Sequence, residues 1–355
     1  MGDQFVGTMA VQERHRFDAA RLEVYLGAHI AGFRGPIEVE QFKGGQSNPT
    51  FLLATPAGRY VIRAKPAPAT KLLPSAHAIE REFRVMKALG ESGFPVPRMC
   101  ALCEDESVIG RAFYAMEYVA GRVLWDQSLP DLSPAARAAI YDEMGRVIAA
   151  LHRLDPAAIG LADFGRPGNY LARQIDRWSK QYRASETERI DAMDRLIDWL
   201  PAHVPPGDET AIVHGDYRLD NLIFDAAEPR ILAVLDWELS TLGHPLADFA
   251  YHCMSWHIPP GHFRGIAGLD HGRLGIPTES EYIAAYCRRT GRDRIEHWEF
   301  YLAYNLFRLA GILQGVMKRA LEGIAASEQA LDAGRRARPL AELGWKYAQR
   351  AGARG

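Results

Sequence analysis

Three polar residues, Asp216, Asn221 and Asp236, have types and spacing that could support phosphoryl transfer from a nucleotide. Asp216 ends the string HGD, Asn221 follows it by five residues, and Asp236 comes fifteen residues after Asn221 in the string LDWE. Phosphoryl transfer needs a carboxylate near the acceptor hydroxyl and metal ligands near the phosphates, because most of the catalytic task is positioning and neutralising charge. The pattern predicts Asp216 as the base, with Asn221 and Asp236 as metal ligands.

Short apolar runs typical of β-strands flank these polar residues. AIV at 211–213 enters the HGD loop, LIF at 222–224 leaves it, and ILAVL at 231–235 ends directly before Asp236. Loops at strand ends carry functional groups on a rigid scaffold. A structural turn explains HGD equally well when it is taken alone. The added asparagine and second acid at fixed spacing favour the catalytic interpretation.

The whole chain resembles the aminoglycoside phosphotransferase and choline kinase family, which is related to the protein kinases. Beside the HGD and LDWE motifs, the resemblance is carried by QFKGGQSNPTF (41–51), SAHAIEREFRV (75–85), CEDESVIGRAFYAMEYVAG (103–121) and STLGHPLADFAY (240–251). In combination these strings are most similar to the branch that includes kinase-like domains fused to acyl-CoA dehydrogenases. The resemblance implies an ATP- and Mg²⁺-dependent enzyme that phosphorylates a hydroxyl group.

The expected fold is α+β and bilobal, like that of the protein kinases. The N-terminal lobe, 1–118, should bind nucleotide through a small antiparallel sheet and a helix, and the C-terminal lobe, 119–355, should be mainly helical and hold the catalytic loop, the metal site and the acceptor pocket. Period-two and period-3.6 apolar patterns predict five strands at 37–42, 50–55, 59–65, 99–103 and 107–118, and helices at 18–30, 76–89, 169–200, 278–290, 296–321 and 325–350. A further helix begins with Ser133 as N-cap and Pro134 at its first position.

Two features of the predicted small lobe indicate where the phosphates of a nucleotide bind. The turn FKGGQSN contains Gly44 and Gly45, whose backbone N–H groups can approach phosphates, and Ser47 and Asn48 are the side chains expected nearest to them. The string lacks the lysine and hydroxyl residue that end a Walker loop. A plain hairpin is the alternative.

A cation on the next strand is the second feature. YVIR aligns with the VAIK strand of kinases, which places Arg63 at the lysine position and Lys65 on the same face. Either cation could contact ATP. Glu82 is the preferred partner and Glu80 the alternative, and a solvated charge pair is the competing interpretation.

The string FYAMEYVAG resembles the kinase hinge. The resemblance implies that backbone groups of Glu117 and Val119 bind adenine, with Phe113 and Met116 as apolar walls. Other polar residues are assigned structural roles: His152 at a helix end, His214 as a brace of the loop, and Asp248 as an anchor.

Composition restricts the partners. A net charge of −2 over 355 residues gives no reason to expect nucleic acid or an anionic membrane. Four cysteines are too few for a disulfide framework, and no apolar core of signal-peptide length stands near the N-terminus, so a cytoplasmic protein is expected. The apolar stretch 300–317 carries Asn305, Arg308 and Gln314, which favours a buried helix over a membrane span.

The acceptor is a small molecule whose identity the motifs leave open. Segment 252–273 contains four histidines, two arginines and one acid, which suits an anionic hydroxy compound such as a hydroxyacyl-CoA better than a polycation. Arg264 and Arg273 are its candidate phosphate-binding residues. Aminoglycosides, choline-like alcohols and proteins are the alternative acceptors, and a nucleotide-binding pseudokinase is the alternative from another class. The oligomeric state is not indicated.

Overall fold

The computed structural model describes residues 7–43, 48–66, 78–323 and 328–354. Within these ranges the chain forms two compact units. The described residues of the first unit lie within Met1–Asp126, Ala157–Ala162 and Arg218–Ser240, and those of the second lie within Gln127–Pro156, Asp163–Tyr217 and Thr241–Gly355. The prediction of an α+β fold with a small antiparallel sheet and a mainly helical remainder is confirmed.

An antiparallel sheet forms the core of the first unit. The strands of the chain are β1 (Thr8–Met9), β2 (Glu38–Phe42), β3 (Thr50–Thr55), β4 (Gly58–Ala64), β5 (Met99–Cys103), β6 (Phe113–Glu117), β7 (Arg122–Val123), β8 (Ala211–Val213), β9 (Leu222–Phe224), β10 (Ile231–Val234) and β11 (Thr241–Gly243). In the described residues this sheet has six strands in the order β1-β2-β3-β4-β6-β5. The five predicted strands are all present. The sixth, β1, is too short to show a periodic pattern.

The helices are α1 (Ala19–His29), α2 (Ile79–Glu91), α3 (Pro134–Arg153), α4 (Tyr170–Ser185), α5 (Asp191–Ala202), α6 (Pro245–Cys253), α7 (His271–Leu274), α8 (Glu279–Thr290), α9 (Trp298–Leu321), α10 (Glu328–Arg335) and α11 (Ala337–Arg350). Ser133 caps α3 by accepting the N–H of Ala136, and Pro134 occupies its first turn, as predicted. Thr278 and Glu281 form a reciprocal capping box at the start of α8.

Two predicted helices are each divided in the structure. Segment 169–200 forms α4 and α5 with an extended connection, and 325–350 contains α10 and α11. Pro339 is the third residue of α11 and has no N–H to donate to the preceding turn, which favours a new helix start over a continuous helix. The connection after α4 contains neither glycine nor proline, so no comparable helix-breaking signal is present there.

Segment 218–240 belongs to the first unit, although the predicted boundary placed it in the C-terminal lobe, 119–355. Its strands β9 and β10 pair with each other, and β9 also pairs with β7. The N–H of Val234 donates to the carbonyl of Pro95 at 2.9 Å, and the ring of Trp237 meets that of Phe94 edge-on at 6.0 Å. These contacts join segments that are distant in the sequence, so no local sequence pattern predicts them.

Helix α9 is the central helix of the second unit and packs against α4, α6 and α11. Its polar residues Asn305, Arg308 and Gln314 are all buried, as the sequence predicted. In the described ranges no helix is long and apolar enough to cross a membrane.

Protonation of one buried histidine should make folding pH-dependent. His252 lies in α6 with Nε2 2.8 Å from the hydroxyl of Tyr282, and burial lowers the pKa of its imidazole to about 4. The unfolded chain binds this proton near pH 6.5, so the free energy of unfolding falls as pH drops from 6.5 to 4, by at most about 1.4 kcal/mol per pH unit. Denaturant titrations over this window should show a shallower pH dependence for His252→Gln. Equal slopes would contradict burial as the cause.

Candidate active site

A buried ion-pair network in the first unit contains the predicted cation and one predicted metal ligand. Arg63 on β4 places Nε 2.9 Å from Glu82 Oε2, and its Nη2 donates to Asp236 Oδ1 at 2.8 Å. The same Nη2 lies 3.3 Å from Glu238 Oε2. The side chain of Arg63 is 11% exposed and that of Glu82 is 2% exposed. The predicted pairing of Arg63 with Glu82 is therefore present.

Three carboxylates meet one guanidinium in this network. Burial opposes the charge on Arg63, but the carboxylates of Glu82 and Asp236 outweigh that penalty and raise the pKa of the guanidinium. Arg63 remains charged at every physiological pH, and three carboxyl groups share this one cation, with burial raising the pKa of the Glu82 carboxyl. Such a site favours an additional cation, and carboxylate oxygens are ligands that suit Mg²⁺.

The backbone brings Asn221 close to Asp236. Asn221 ends a short 3₁₀ turn, is 7% exposed, and accepts the N–H of Leu235 at its carbonyl oxygen at 2.8 Å. Leu235 directly precedes Asp236, so this bond fixes the two predicted ligands at neighbouring points of the loop. The backbone of Asp236 has φ of +66°, a left-handed conformation that costs free energy in a residue other than glycine. Strain of this kind often accompanies a functional side chain.

Two polar side chains besides Arg63 form hydrogen bonds with Glu82. Asn48 is fully buried and donates its amide to Glu82 Oε1 at 3.0 Å, and the hydroxyl of Tyr114 donates to Glu82 Oε2 at 3.1 Å. Asn48 was expected nearest the phosphates, whereas its amide is engaged with Glu82. Gly44, Gly45 and Ser47 lie outside the described residues. Tyr114 is opposite Arg63 in the pairing of β4 with β6, a relation visible only once the strand register is known.

Lys65 forms a separate ion pair with Glu80. The side chains of this pair are 33% and 32% exposed, compared with 11% and 2% for Arg63 and Glu82. Each cation thus pairs with a different glutamate, Arg63 with the preferred partner Glu82 and Lys65 with Glu80. Solvent-exposed ion pairs contribute little free energy to folding, so disrupting the buried pair of Arg63 with Glu82 should affect stability more than disrupting the pair of Lys65 with Glu80.

The predicted hinge begins with β6 and continues beyond its last residue, Glu117. The N–H of Glu117 donates to the carbonyl of Arg98 at 2.9 Å, and the Glu117 carboxylate pairs with the Arg98 side chain at 3.1 Å. The backbone carbonyl of Glu117 is therefore a better candidate than its N–H for a hydrogen bond to adenine. Val119 is half-buried two residues further on. Phe113 and Met116, expected to form apolar walls, are both buried.

The HGD loop in the second unit is fixed by Asp248. Its carboxylate accepts the N–H groups of His214 and Gly215, each at 2.8 Å, and lies 3.1 Å from His152 Nε2. Burial raises the pKa of the Asp248 carboxyl, but the hydrogen bond and charge of His152 outweigh it, so the pKa is lowered and the group is ionised. The structural roles predicted for His152 and Asp248 agree with these contacts.

Asp216 follows directly on this anchored backbone. Its N–H donates to His214 Nδ1 at 3.1 Å, which gives His214 the bracing role predicted from the sequence. Gly215 has φ of +81°, a conformation that favours glycine. The loop therefore presents the Asp216 side chain from a backbone that hydrogen bonds hold on both sides.

Two contacts to this loop were not predicted. The hydroxyl of Tyr251 donates to Asp216 Oδ1 at 2.5 Å, and Arg308 Nη2 donates to the carbonyl of Gly215 at 2.7 Å. Tyr251 comes from α6 and Arg308 from α9, far from the loop in sequence. Tyr251 fits the apolar pattern of a buried helix, and Arg308 was distinguished in the sequence only as a polar residue that argued against a membrane span, so neither contact was indicated by the local pattern.

The histidines of segment 252–273 mostly have partners inside the second unit. His257 Nε2 lies 2.5 Å from Glu279 Oε1 and its Nδ1 lies 2.5 Å from the hydroxyl of Tyr347. His271 Nε2 lies 2.9 Å from the carbonyl of Ile266. Over the described part of the chain, no group of three or more His, Cys, Asp or Glu is arranged to hold a metal ion.

Comparisons with known proteins place the chain in a family. The sequence pattern of the phosphotransferase enzyme family matches residues 38–303. The chain is 50% identical over 335 residues to mouse acyl-CoA dehydrogenase family member 10, covering 94% of this chain but 31% of that protein, so it spans about a third of this relative's length.

Comparison with solved structures supports the same family. A crystal structure from Ralstonia eutropha, provisionally described as an aminoglycoside phosphotransferase, is 65% identical with a TM-score of 0.87, covering 94% of this chain and 99% of that one. At 14% identity, a mutant of aminoglycoside phosphotransferase APH(4)-Ia in complex with ADP and hygromycin B shares the fold, with a TM-score of 0.60 and coverage of 95% and 99%. The resemblance seen in the sequence is thus confirmed, and the chain belongs to the phosphotransferase enzyme family.

Proposed function

We propose that this phosphotransferase uses ATP and Mg²⁺ to phosphorylate a hydroxyl group of a small molecule. The observation that carries the proposal is the buried Arg63, held by Glu82 and in contact with Asp236, on the elements where kinases place their phosphate-binding cation. The crystal structure of APH(4)-Ia with ADP and hygromycin B supports a nucleotide and a hydroxylated acceptor for the same fold.

The donor sets fit these ligands. Asn221 and Asp236 would hold Mg²⁺ by an amide and a carboxylate oxygen. When bound, Mg²⁺ supplies positive charge that neutralises the phosphates. Arg63 would contact the α- and β-phosphates through its fork of donors, with Lys65 as the outer alternative. The nucleotide-binding residues proposed beside them are Gly44, Gly45, Ser47, Asn48, Glu82, Glu117 and Val119.

Asp216 is the proposed base. As the acceptor oxygen forms its bond to the γ-phosphorus, the acceptor hydroxyl passes its proton to the carboxylate of Asp216. The bond between the γ-phosphorus and the bridging oxygen breaks, and ADP leaves with the electron pair. Asp248 and His214 keep the loop in place during this transfer, because they bind its backbone rather than its reacting carboxylate.

A hydroxyacyl-CoA is the proposed acceptor. The support is the likeness to a protein named an acyl-CoA dehydrogenase family member, together with the basic residues Arg264 and Arg273. Arg308 adds a buried cation next to the loop that carries Asp216. Placing a polycation near this guanidinium would cost electrostatic free energy. An aminoglycoside is the second candidate because the Ralstonia eutropha structure is described as an aminoglycoside phosphotransferase.

Charge reversal should test the acceptor. Arg264→Glu and Arg273→Glu are expected to raise KM for 3-hydroxybutyryl-CoA by about tenfold or more while KM for ATP changes little, because each loses an ion pair with a CoA phosphate. Initial rates of ADP release at varied acceptor concentration measure this. Arg294→Glu, which changes a 77% exposed arginine outside the segment, is the matched control. Unchanged acceptor KM in both segment variants, or efficient phosphorylation of kanamycin or choline instead, contradicts the assignment.

A further inference from the structure

We infer that Tyr251 and Arg308 form a clamp that fixes the orientation of the Asp216 carboxylate for proton transfer. The inference rests on the proposed function, since it assigns these residues to the positioning of its base. Neither residue belongs to the HGD or LDWE motifs, and Arg308 lies beyond the segment 38–303 that matches the family pattern. The sequence motifs assign neither residue a role in the reaction.

Tyr251 acts on the carboxylate itself. Its hydroxyl donates to Asp216 Oδ1 at 2.5 Å, within the short range expected when the acceptor is charged. A carboxylate at the end of an aspartate rotates about a soft torsion. A hydrogen bond to one oxygen restricts that rotation, so the direction in which the group accepts a proton is fixed before the acceptor arrives.

Arg308 contacts both the ring of Tyr251 and the backbone next to Asp216. Its guanidinium lies 5.0 Å from the centre of the Tyr251 ring and 5.5 Å from that of Trp178, while Nη2 donates to the carbonyl of Gly215 at 2.7 Å. One side chain thus contacts both the tyrosine on the base and the residue preceding the base. Contacts of a cation with aromatic faces are stronger when they are shielded from water, and Arg308 is 7% exposed.

The charge of Arg308 is unusual for a position in the core. In the described residues no carboxylate lies within ion-pair distance of its guanidinium. Burial opposes the charge, but nearby phenol groups and Asp216 outweigh it, and the pKa is raised. A buried charge without an ion-pair partner carries a desolvation cost that a neutral residue would avoid. Its contacts with Gly215 and Tyr251 explain why a charged residue occupies this buried position.

The sharpest variant is Tyr251→Phe, because it removes the hydroxyl and leaves the ring that Arg308 contacts. We expect kcat for ADP formation to fall about tenfold, with KM for ATP and the melting temperature nearly unchanged, since small misplacements of a reacting group reduce rate more than binding. Tyr141→Phe is the matched control. Its hydroxyl is also buried, but it donates to the carbonyl of Gln127 at 2.7 Å.

A double-mutant cycle separates positioning from general packing. ADP formation from Mg²⁺-ATP is measured with water alone and with 3-hydroxybutyryl-CoA for wild type, Tyr251→Phe, Asp216→Asn and the double variant. If Tyr251 acts through Asp216, the double variant matches Asp216→Asn, because the proton acceptor that Tyr251 orients is already absent. Tenfold losses that multiply in the double variant overturn the inference, as does wild-type kcat in Tyr251→Phe. If Asp216→Asn itself retains wild-type turnover, the proposed function fails first, which is a distinct result.

Discussion

Asp216→Asn is expected to lower kcat by about 10²–10⁴ while leaving affinity for ATP nearly unchanged. The amide has nearly the shape of the carboxylate and can still accept from Tyr251, but it cannot take the acceptor proton at physiological pH. The loop should keep its conformation, because Asp248 and His214 bind backbone groups. The substitution therefore removes one chemical property and little structure.

Steady-state kinetics with a matched control measure this effect. Asp225→Asn changes a half-buried carboxylate of the same chain region that accepts turn N–H groups of Ala227 and Glu228 and lies 3.5 Å from Arg230 Nη2, and its amide oxygen can still accept the turn hydrogen bonds. This control should keep wild-type kcat. Full activity in Asp216→Asn, with the control also active, would rule out the base assignment. A large loss of ATP affinity in Asp216→Asn would show that the residue serves binding instead.

Asp236→Ala is expected to abolish most of the Mg²⁺ dependence of ATP binding. Asp236 supplies the carboxylate of the proposed metal pair, and Asn221 offers only a neutral amide oxygen. In isothermal titration calorimetry, wild type should bind ATP substantially more tightly with Mg²⁺ than with EDTA. The variant should bind with similar affinity in the two buffers.

The control for this experiment must also remove a negative charge. Glu228→Ala does so in the same segment, at a side chain that is 70% exposed. It should retain the wild-type difference between Mg²⁺ and EDTA. If Asp236→Ala retains that difference too, Asp236 is not a metal ligand and its role is confined to the ion pair with Arg63.

The sequence predicted what depends on local pattern. Ser133 and Pro134 mark the start of α3 because a capping hydroxyl and a fixed φ act within one turn. Alternating apolar residues located the strands around Arg63, and residue spacing on α2 made Glu82 its preferred partner. The HGD loop could be interpreted because its residues are close in the chain.

Such local patterns could not predict contacts between segments that are distant in the sequence. Glu238 joins Arg63 through the conformation of the Asp236 loop, and Tyr251 reaches Asp216 only because α6 packs beside β8. In the sequence these residues look like a turn acid and a core tyrosine. Their functional meaning depends on tertiary placement, which single-sequence periodicity does not encode.

Phosphorus-31 NMR of one reaction tests whether this enzyme transfers a phosphoryl group from ATP to a hydroxyl group with Asp216 as the base. The enzyme is incubated with Mg²⁺-ATP and a panel of hydroxyl compounds comprising hydroxyacyl-CoA esters, kanamycin and choline, in parallel with Asp216→Asn. Wild type should produce ADP and one new phosphate monoester in equal amounts with at least one member of the panel, and the variant should produce neither at a comparable rate. A new monoester formed equally fast by Asp216→Asn, or ATP left intact with every acceptor, would contradict the account.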